Sequence, residues 1–277
     1  ARVTAMRGHD VTLYEARDRL GGQALLAAKA TWRENLTGIP RWLEAQVRKH
    51  GVTIKLDLAA TAELVTAEQP DVVIVATGGT PWRGLVDGAD LVTTTWDILS
   101  GRVAPAATTL IYDELGGHHA LSTAEFLAAR GAQIEFATPD RAPGLEMGGT
   151  NFTIHYRELA RRGVALTPDA RLVAVRREGD RLAVVLANEY TREREERVVD
   201  QVVVEYGTLP VDGLYHALKG GSVNRGEVDI AALIAGRPQR LRRNPDGRYQ
   251  LFRVGDAVAS RNIHAAIYES LRLCKDL

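Results

Sequence analysis

A single cysteine in 277 residues, Cys274, removes several chemistries at the outset, because no internal disulfide, no CxxC redox pair and no all-cysteine zinc or iron–sulfur site can be built within the chain. Electron transfer here would need an organic cofactor. Net charge is equally lacking. Lys+Arg 35 balance Asp+Glu 35, so no overall field draws the chain to nucleic acid or to an anionic membrane, and any basic site has to be local. No apolar run approaches the roughly 20 residues of a membrane-spanning helix, and no signal peptide is visible, which makes the cytoplasm the default location. The rest, 45% hydrophobic and 25% charged, has the balance of a globular protein long enough for one large or two medium domains.

Residues 11–23 organise what is present. Val11 and Leu13 belong to a short β-prone run that ends in the carboxylate of Glu15, and Gly21 and Gly22 then allow a tight turn and a close backbone approach. In dinucleotide folds a strand-terminal acid accepts hydrogen bonds from ribose hydroxyls; an ordinary surface strand with an exposed Glu would look the same in this piece alone. Residues 1–7 read as the end of a helix closed by Gly8, so the first strand and the GxGxxG loop of a βαβ unit are expected ahead of Ala1. Leu36, Ile39, Leu43 and Val47 carry helical spacing as far as Gly51, and a strand is expected at 52–56. Residues 72–78, Val-Val-Ile-Val-Ala-Thr-Gly, form a continuous β-branched run of the kind buried on both faces of a parallel sheet, ending in small residues where open α/β sheets hold ligands.

A second strand–turn–helix pattern begins at 108–112, turns at Gly116 and Gly117, continues in a helix from about Ser122 to Arg130 and returns in a strand at 133–138. Another helix ends near Gly163. Strands are expected at 171–175, 181–187 and 197–204, with the charged run 191–196 read as a solvated turn. Residues 220–247 are polar and loop-rich. The chain closes with a strand at 249–254, then Gly255 and Asp256, then an amphipathic helix from about 261 to 275. Asp256 either caps that helix or accepts a hydrogen bond from a ribityl or ribose hydroxyl beside the phosphate-attracting helix start.

Three motifs in order, Glu15 with Gly21 and Gly22, then Ala76-Thr77-Gly78, then Arg253-Val-Gly-Asp-Ala257, resemble those of the two-dinucleotide-domain flavoproteins. Leu20-Gly-Gly-Gln23 and Gly255-Asp-Ala with Arg261-Asn-Ile-His-Ala-Ala-Ile-Tyr268 make the chain similar to the C-terminal part of the trimethylamine dehydrogenase and 2,4-dienoyl-CoA reductase (NADH:flavin oxidoreductase) family, over essentially its whole length. The resemblance implies an α/β fold of two nested Rossmann-like, glutathione-reductase-like domains: 1–101 with 208–277 binding FAD or ADP, and 102–207 inserted as an NAD(P)-like domain. It implies that Glu15, Gly21, Gly22, Gln23, Ala76, Thr77, Gly78, Gly255 and Asp256 line the FAD or ADP site. It also implies that FMN and a [4Fe-4S] cluster belong to an N-terminal TIM barrel outside this sequence, which would be the partner of this module, and that an external acceptor takes the electrons. Oligomerisation is left open. No residue qualifies as a catalytic acid, base or nucleophile, and none as a metal ligand.

The second unit departs from the family pattern. Its turn, Tyr112-Asp-Glu-Leu-Gly-Gly-His-His-Ala120, is not GxGxxG, and Asp113 and Glu114 are expected to face a pyrophosphate and repel it. Residues 136–138 offer no acid to an NAD ribose, and Arg141 alone could meet an NADP phosphate. His118 and His119 read as solvated turn residues. The expected function is the nucleotide-binding module of a flavoprotein oxidoreductase like those acting on methylated amines; the alternatives are an NADPH-dependent dienoyl-CoA-reductase-like enzyme and a non-catalytic nucleotide scaffold.

Overall fold

The computed structural model describes residues 1–30 and 32–277. It is a mixed α/β protein whose chain falls into two compact units: Ala1–Ala24, Thr37–Thr80 and Thr208–Leu277 form the first, and Leu25–Leu36 with Pro81–Gly207 form the second.

Two pairs of strands in the first unit are parallel. Thr12–Tyr14 lies beside Thr53–Lys55, and Val72–Val75 lies beside Gln250–Arg253. The β-branched run alternates in burial. Val73 and Val75 enter a buried cluster with Val65, Tyr215, Leu218 and Leu251, while Val72 and Ile74 are half-buried against Phe252, Val254 and, from the C-terminal helix Ile263–Cys274, Leu273. Both faces are therefore covered, as a parallel strand requires, but one is the looser. Helix Gly38–Lys49 starts later than the apolar spacing suggested. Its Pro40 occupies the first turn, where a missing N–H costs nothing, and a 3₁₀ turn, Glu34–Thr37, precedes it.

The second unit centres on a five-stranded parallel sheet in which Gln201–Glu205 and Thr108–Asp113 are neighbours, with Thr93–Thr94, Gln133–Ala137 and Ala165–Thr167 outside them. One face packs Ile111, Phe136 and Val203 against helices His118–Ala128 and Gly149–Arg161. The other packs Leu110, Tyr112 and Val204 against a three-stranded antiparallel sheet through Leu172, Val184 and Leu186.

Two elements differ from their sequence expectation for a clear reason. The run 197–204 is not one strand. Arg194–Val199 pairs antiparallel with Arg181–Asn188, the chain breaks at Asp200, whose carboxylate accepts the N–H and hydroxyl of Thr108 at 2.9 and 2.7 Å, and Gln201–Glu205 then joins the parallel sheet. Residues 194–196, read as turn, are thus strand. Residues 81–101, expected with the first unit, pack with the second, because Thr93–Thr94 extends its sheet and Thr94 and Asp97 form a reciprocal capping box for helix Thr95–Ser100.

The loop-rich stretch 220–247 is tied down by a side chain that imitates a strand. Asn224, almost fully buried, accepts the Leu251 N–H at 2.9 Å and donates to the Leu251 C=O at 2.8 Å. Asn224→Leu leaves both backbone groups buried without partners, and we expect it to cost about 3 kcal/mol in denaturant unfolding, against no measurable loss for Val198→Thr on the exposed strand.

Candidate functional site

Parallel strands release their chains on the same side of a sheet. Because Arg253 stands opposite Val75, and Val254 N–H bonds to the Val75 C=O at 3.0 Å, the residues after each strand emerge together. Gly78 has φ +73°, a left-handed conformation costly for any residue with a Cβ, and its open side faces Gln23, whose Nε2 lies 3.7 Å from where a Cβ would stand. That same Nε2 donates to Asp256 Oδ2 at 3.0 Å. Three stretches far apart in sequence therefore converge through Gln23, Gly78 and Asp256. The turn is held rigidly: the Thr77 hydroxyl donates to the Val211 C=O, Val211 N–H donates to the Gly78 C=O at 3.0 Å, and a Cβ on Gly79 would stand 2.7 Å from the Thr208 side chain. Ala76 and Thr77 are exposed at the strand's end.

Asp256 is not the cap of the C-terminal helix. Asn262 holds that place, its side chain accepting the Ala265 N–H at 2.8 Å, so the free helix amides expected beside Asp256 are set off by several residues. Asp256 sits in a 3₁₀ turn, Gly255–Ala257, and its Oδ1 accepts the Arg261 N–H at 3.2 Å. Gly255, at φ +63°, donates its N–H to Glu269 Oε2 at 2.7 Å, and Arg261 pairs with the same oxygen. Glu15 follows its strand as expected, but its Oε1 accepts the Arg17 N–H at 3.0 Å, and no hydrogen bond or ion pair among the described residues joins it to the Gln23–Asp256 group. Gly21 and Gly22 both have positive φ, +124° and +49°, and swing the chain from that strand towards Gln23.

In the second unit the acids of the turn point elsewhere than expected. Asp113 is fully buried, and its Oδ1 accepts the N–H groups of Leu115 and Gly116 at 3.1 and 3.2 Å. Glu114 turns sideways, accepting the Tyr112 hydroxyl at 3.0 Å and pairing with Arg171 at 3.2 Å. Burial first, and the neighbouring Glu205 next, push the Asp113 carboxyl up to about 8 against the pull of the two amides.

His118 and His119 are not solvated turn residues, because the helix starts four residues earlier than expected, at His118. His118 Nδ1 lies 3.0 Å from His155 Nε2, and His155 Nδ1 lies 2.5 Å from Glu125 Oε1. The second Glu125 oxygen accepts the Trp32 indole N–H at 3.0 Å. His155 and Glu125 are wholly buried. Burial and the nearby Arg33 hold His118 down at about 4, so it is neutral at neutral pH. Composition and spacing gave no sign of this chain of contacts; the one available signal was a lone Glu125 within the apolar stretch Ala124–Leu127 of the helix.

No family model matches the chain. N,N-dimethylglycine/sarcosine dehydrogenase of Chromohalobacter salexigens is 48% identical over the whole chain, and a probable N-methylproline demethylase of Rhizobium meliloti is 45% identical, again over the whole chain. The chain spans about two-fifths of the length of these curated relatives, 42% and 41%. A 2-naphthoyl-CoA reductase structure matches 100% of the chain with 37% of its own, at TM-score 0.82 and 25% identity. Thioredoxin reductase of T. acidophilum, at 16% identity, matches 98% of the chain with 90% of its own at TM-score 0.65 and speaks for the fold alone.

The chain belongs to the dinucleotide-binding part of the trimethylamine dehydrogenase and 2,4-dienoyl-CoA reductase family.

In this family member two of the three sequence motifs, Ala76-Thr77-Gly78 and Gly255-Asp256, fall at the carboxyl edge of one pair of parallel strands, the ligand edge of an open α/β sheet, and Gln23, which follows the third, reaches them. Among the described residues no cluster of three His, Cys, Asp or Glu could hold a metal ion, and no helix is long and apolar enough to cross a membrane.

The buried Asp113 makes a prediction about pH. The folded chain keeps a proton on this group up to about pH 8, whereas the unfolded chain releases it near 4. Because the native state then binds more protons than the unfolded state across that window, stability falls as pH rises through it. Asp113→Asn should remove this contribution, so the denaturation midpoint of the variant falls less between pH 5 and pH 8 than that of the unmodified protein. Parallel profiles would show that Asp113 titrates normally.

Proposed function

We propose that this chain is the FAD- or ADP-holding module of a larger flavin-dependent oxidoreductase that acts on N-methylated amines. The convergence of Gln23, Gly78 and Asp256 carries the reading, with support from relatives described as a dimethylglycine/sarcosine dehydrogenase and an N-methylproline demethylase. Asp256 keeps acceptor capacity beyond its contacts with Gln23, Arg261 and, at 3.5 Å, the Thr208 hydroxyl, which suits a ribityl or ribose hydroxyl. Gly78 leaves room for a nucleotide to lie against backbone. Glu15 would take the adenosine ribose, with Gly21, Gly22, Ala76, Thr77 and Gly255 lining the path.

The architecture we propose is two nested dinucleotide folds. The first unit has two separate parallel strand pairs, and one further strand between Thr12–Tyr14 and Val72–Val75, with the phosphate-binding glycine loop at its end, would merge them into a single doubly wound sheet. Such a strand precedes the first helix of a βαβ unit. The rest of the relatives' length fits a catalytic barrel carrying FMN and an iron–sulfur cluster, with electrons leaving to an external acceptor.

The second unit, in our reading, binds neither NADH nor NADPH, since its turn lacks the GxGxxG pattern and no acid ends its next strand. A reductase of the dienoyl-CoA type would need that site.

Acid release of cofactor from the intact protein, followed by chromatography, tests the main proposal. FAD supports electron transfer through this module, ADP without FAD supports a scaffold, and neither nucleotide overturns the assignment. Asp256→Ala should lower nucleotide occupancy at least tenfold, while Asp246→Ala, on a polar loop, should not. Calorimetry with NADPH should show no micromolar site, which would be worth about 8 kcal/mol; a low-micromolar dissociation constant would favour the reductase reading.

A further inference from the structure

We infer that the second unit is closed to dinucleotides by an internal occupant, the carboxyl group of Asp113, which fills the amide turn that a pyrophosphate would use. The inference rests on the reading that this unit is silent, and it names the group responsible.

A phosphate bound between a strand and a helix is held by the consecutive N–H groups of the connecting turn and by the helix start. Here those donors are already taken. The Glu114 N–H bonds to the Glu205 C=O at 3.0 Å, and the Leu115 and Gly116 N–H groups both bond to Asp113 Oδ1. A side chain at the last position of the strand thus reaches forward into its own turn.

The same residue leaves its second oxygen, Oδ2, buried with no hydrogen-bond partner. An unsatisfied buried oxygen is costly, and its persistence marks a group held in place by the two amides and not by complementary surroundings. The outer side of the turn is also occupied. Glu146 N–H bonds to the Gly116 C=O at 3.0 Å, and a Cβ on Gly116 would stand 3.3 Å from Glu146 Cγ and 3.4 Å from Asp140 Oδ2. Glu114, the other acid of the turn, is neutralised by Arg171, so simple repulsion by two carboxylates does not describe the closure. The amides are withheld by occupancy.

Occupancy and repulsion differ in what a neutral side chain does. Asp113→Asn makes the side chain neutral at every pH, including above pH 8 where Asp113 is ionised, but keeps an oxygen that accepts both amides, so occupancy keeps the site closed. Asp113→Gly removes the occupant. Calorimetric titration of the intact protein with NADPH and with ADP-ribose should give no binding for the unmodified protein or for Asp113→Asn, and affinity at least tenfold higher for Asp113→Gly. Opening by Asp113→Asn to the same degree would overturn the inference in favour of charge, and so would a folded Asp113→Gly protein with no gain.

Micromolar NADPH binding by the unmodified protein would instead overturn the reading that the second unit is silent, which distinguishes the two failures. Should Asp113→Gly not fold, amide hydrogen exchange in the unmodified protein decides. The Leu115 and Gly116 amides should be protected as strongly as those of the adjoining strand, and rapid exchange at both would overturn the inference.

Discussion

The register of one parallel strand pair governs the first unit. Val72–Val75 and Gln250–Arg253 are separated by most of the chain, yet with Val75 opposite Arg253 their exits are level, and Gly78 and Asp256 come within the span of a single Gln23 side chain. A slip of one residue would turn Val73 and Val75 out of the cluster they share with Leu251 and Tyr215 and would expose the buried face of the strand. Packing of apolar side chains therefore sets the geometry of a polar site. The hydrogen bond from Gln23 to Asp256 consumes part of what that geometry offers and leaves the rest of the carboxylate to a ligand.

The same architecture has a different outcome in the second unit. There too two parallel strands end side by side, with Glu205 opposite Asp113, and there too a glycine turn leads into a helix. At the level exit, however, stand two buried carboxyl groups instead of a neutral turn. Glu205 is satisfied by the Gly207 N–H and the Thr95 hydroxyl, whereas Asp113 bonds the turn through Oδ1 alone and leaves Oδ2 without a partner. Desolvation beside a second acid favours the protonated form of Asp113, so the pair avoids carrying two unscreened charges at neutral pH. One strand ending that presents backbone to solvent and another that folds a side chain back over its backbone are alternative uses of one topology.

Much of this was legible from residue order. The β-branched run at 72–75, the glycine turns at 21–22 and 116–117, and the closing strand with Gly255 and Asp256 were recognisable because strand burial and positive φ restrict which residues can appear. What escaped was decided by contacts distant in sequence. Nothing local tells that Asp200 breaks the 194–205 run, since Val198, Val199, Val202 and Val203 are equally β-prone; the break is made by Thr108. Nor does local pattern show that Asp113 points inward and Glu114 sideways, because both are ordinary acids until Leu115, Gly116 and Arg171 are in place. The helix start at His118 was missed because Gly117 supplies no side-chain cap to signal it.

The network Trp32, Glu125, His155 and His118 illustrates why such contacts resist sequence reading and what they add once formed. A buried carboxylate is expensive unless each oxygen is hydrogen-bonded, and Glu125 obtains one donor from the segment Leu25–Leu36 and one from helix Gly149–Arg161. Apolar packing alone would tolerate a rotation or shift of helix His118–Ala128, whose buried face is largely Ala and Leu. The directional bonds do not. Displacing the helix by one residue would strand Glu125 without partners, so the polar chain discriminates among registers that hydrophobic burial leaves close in energy. His118, at the far end, is tied into the same chain of contacts through its Nδ1, 3.0 Å from His155 Nε2, at the first turn of the helix.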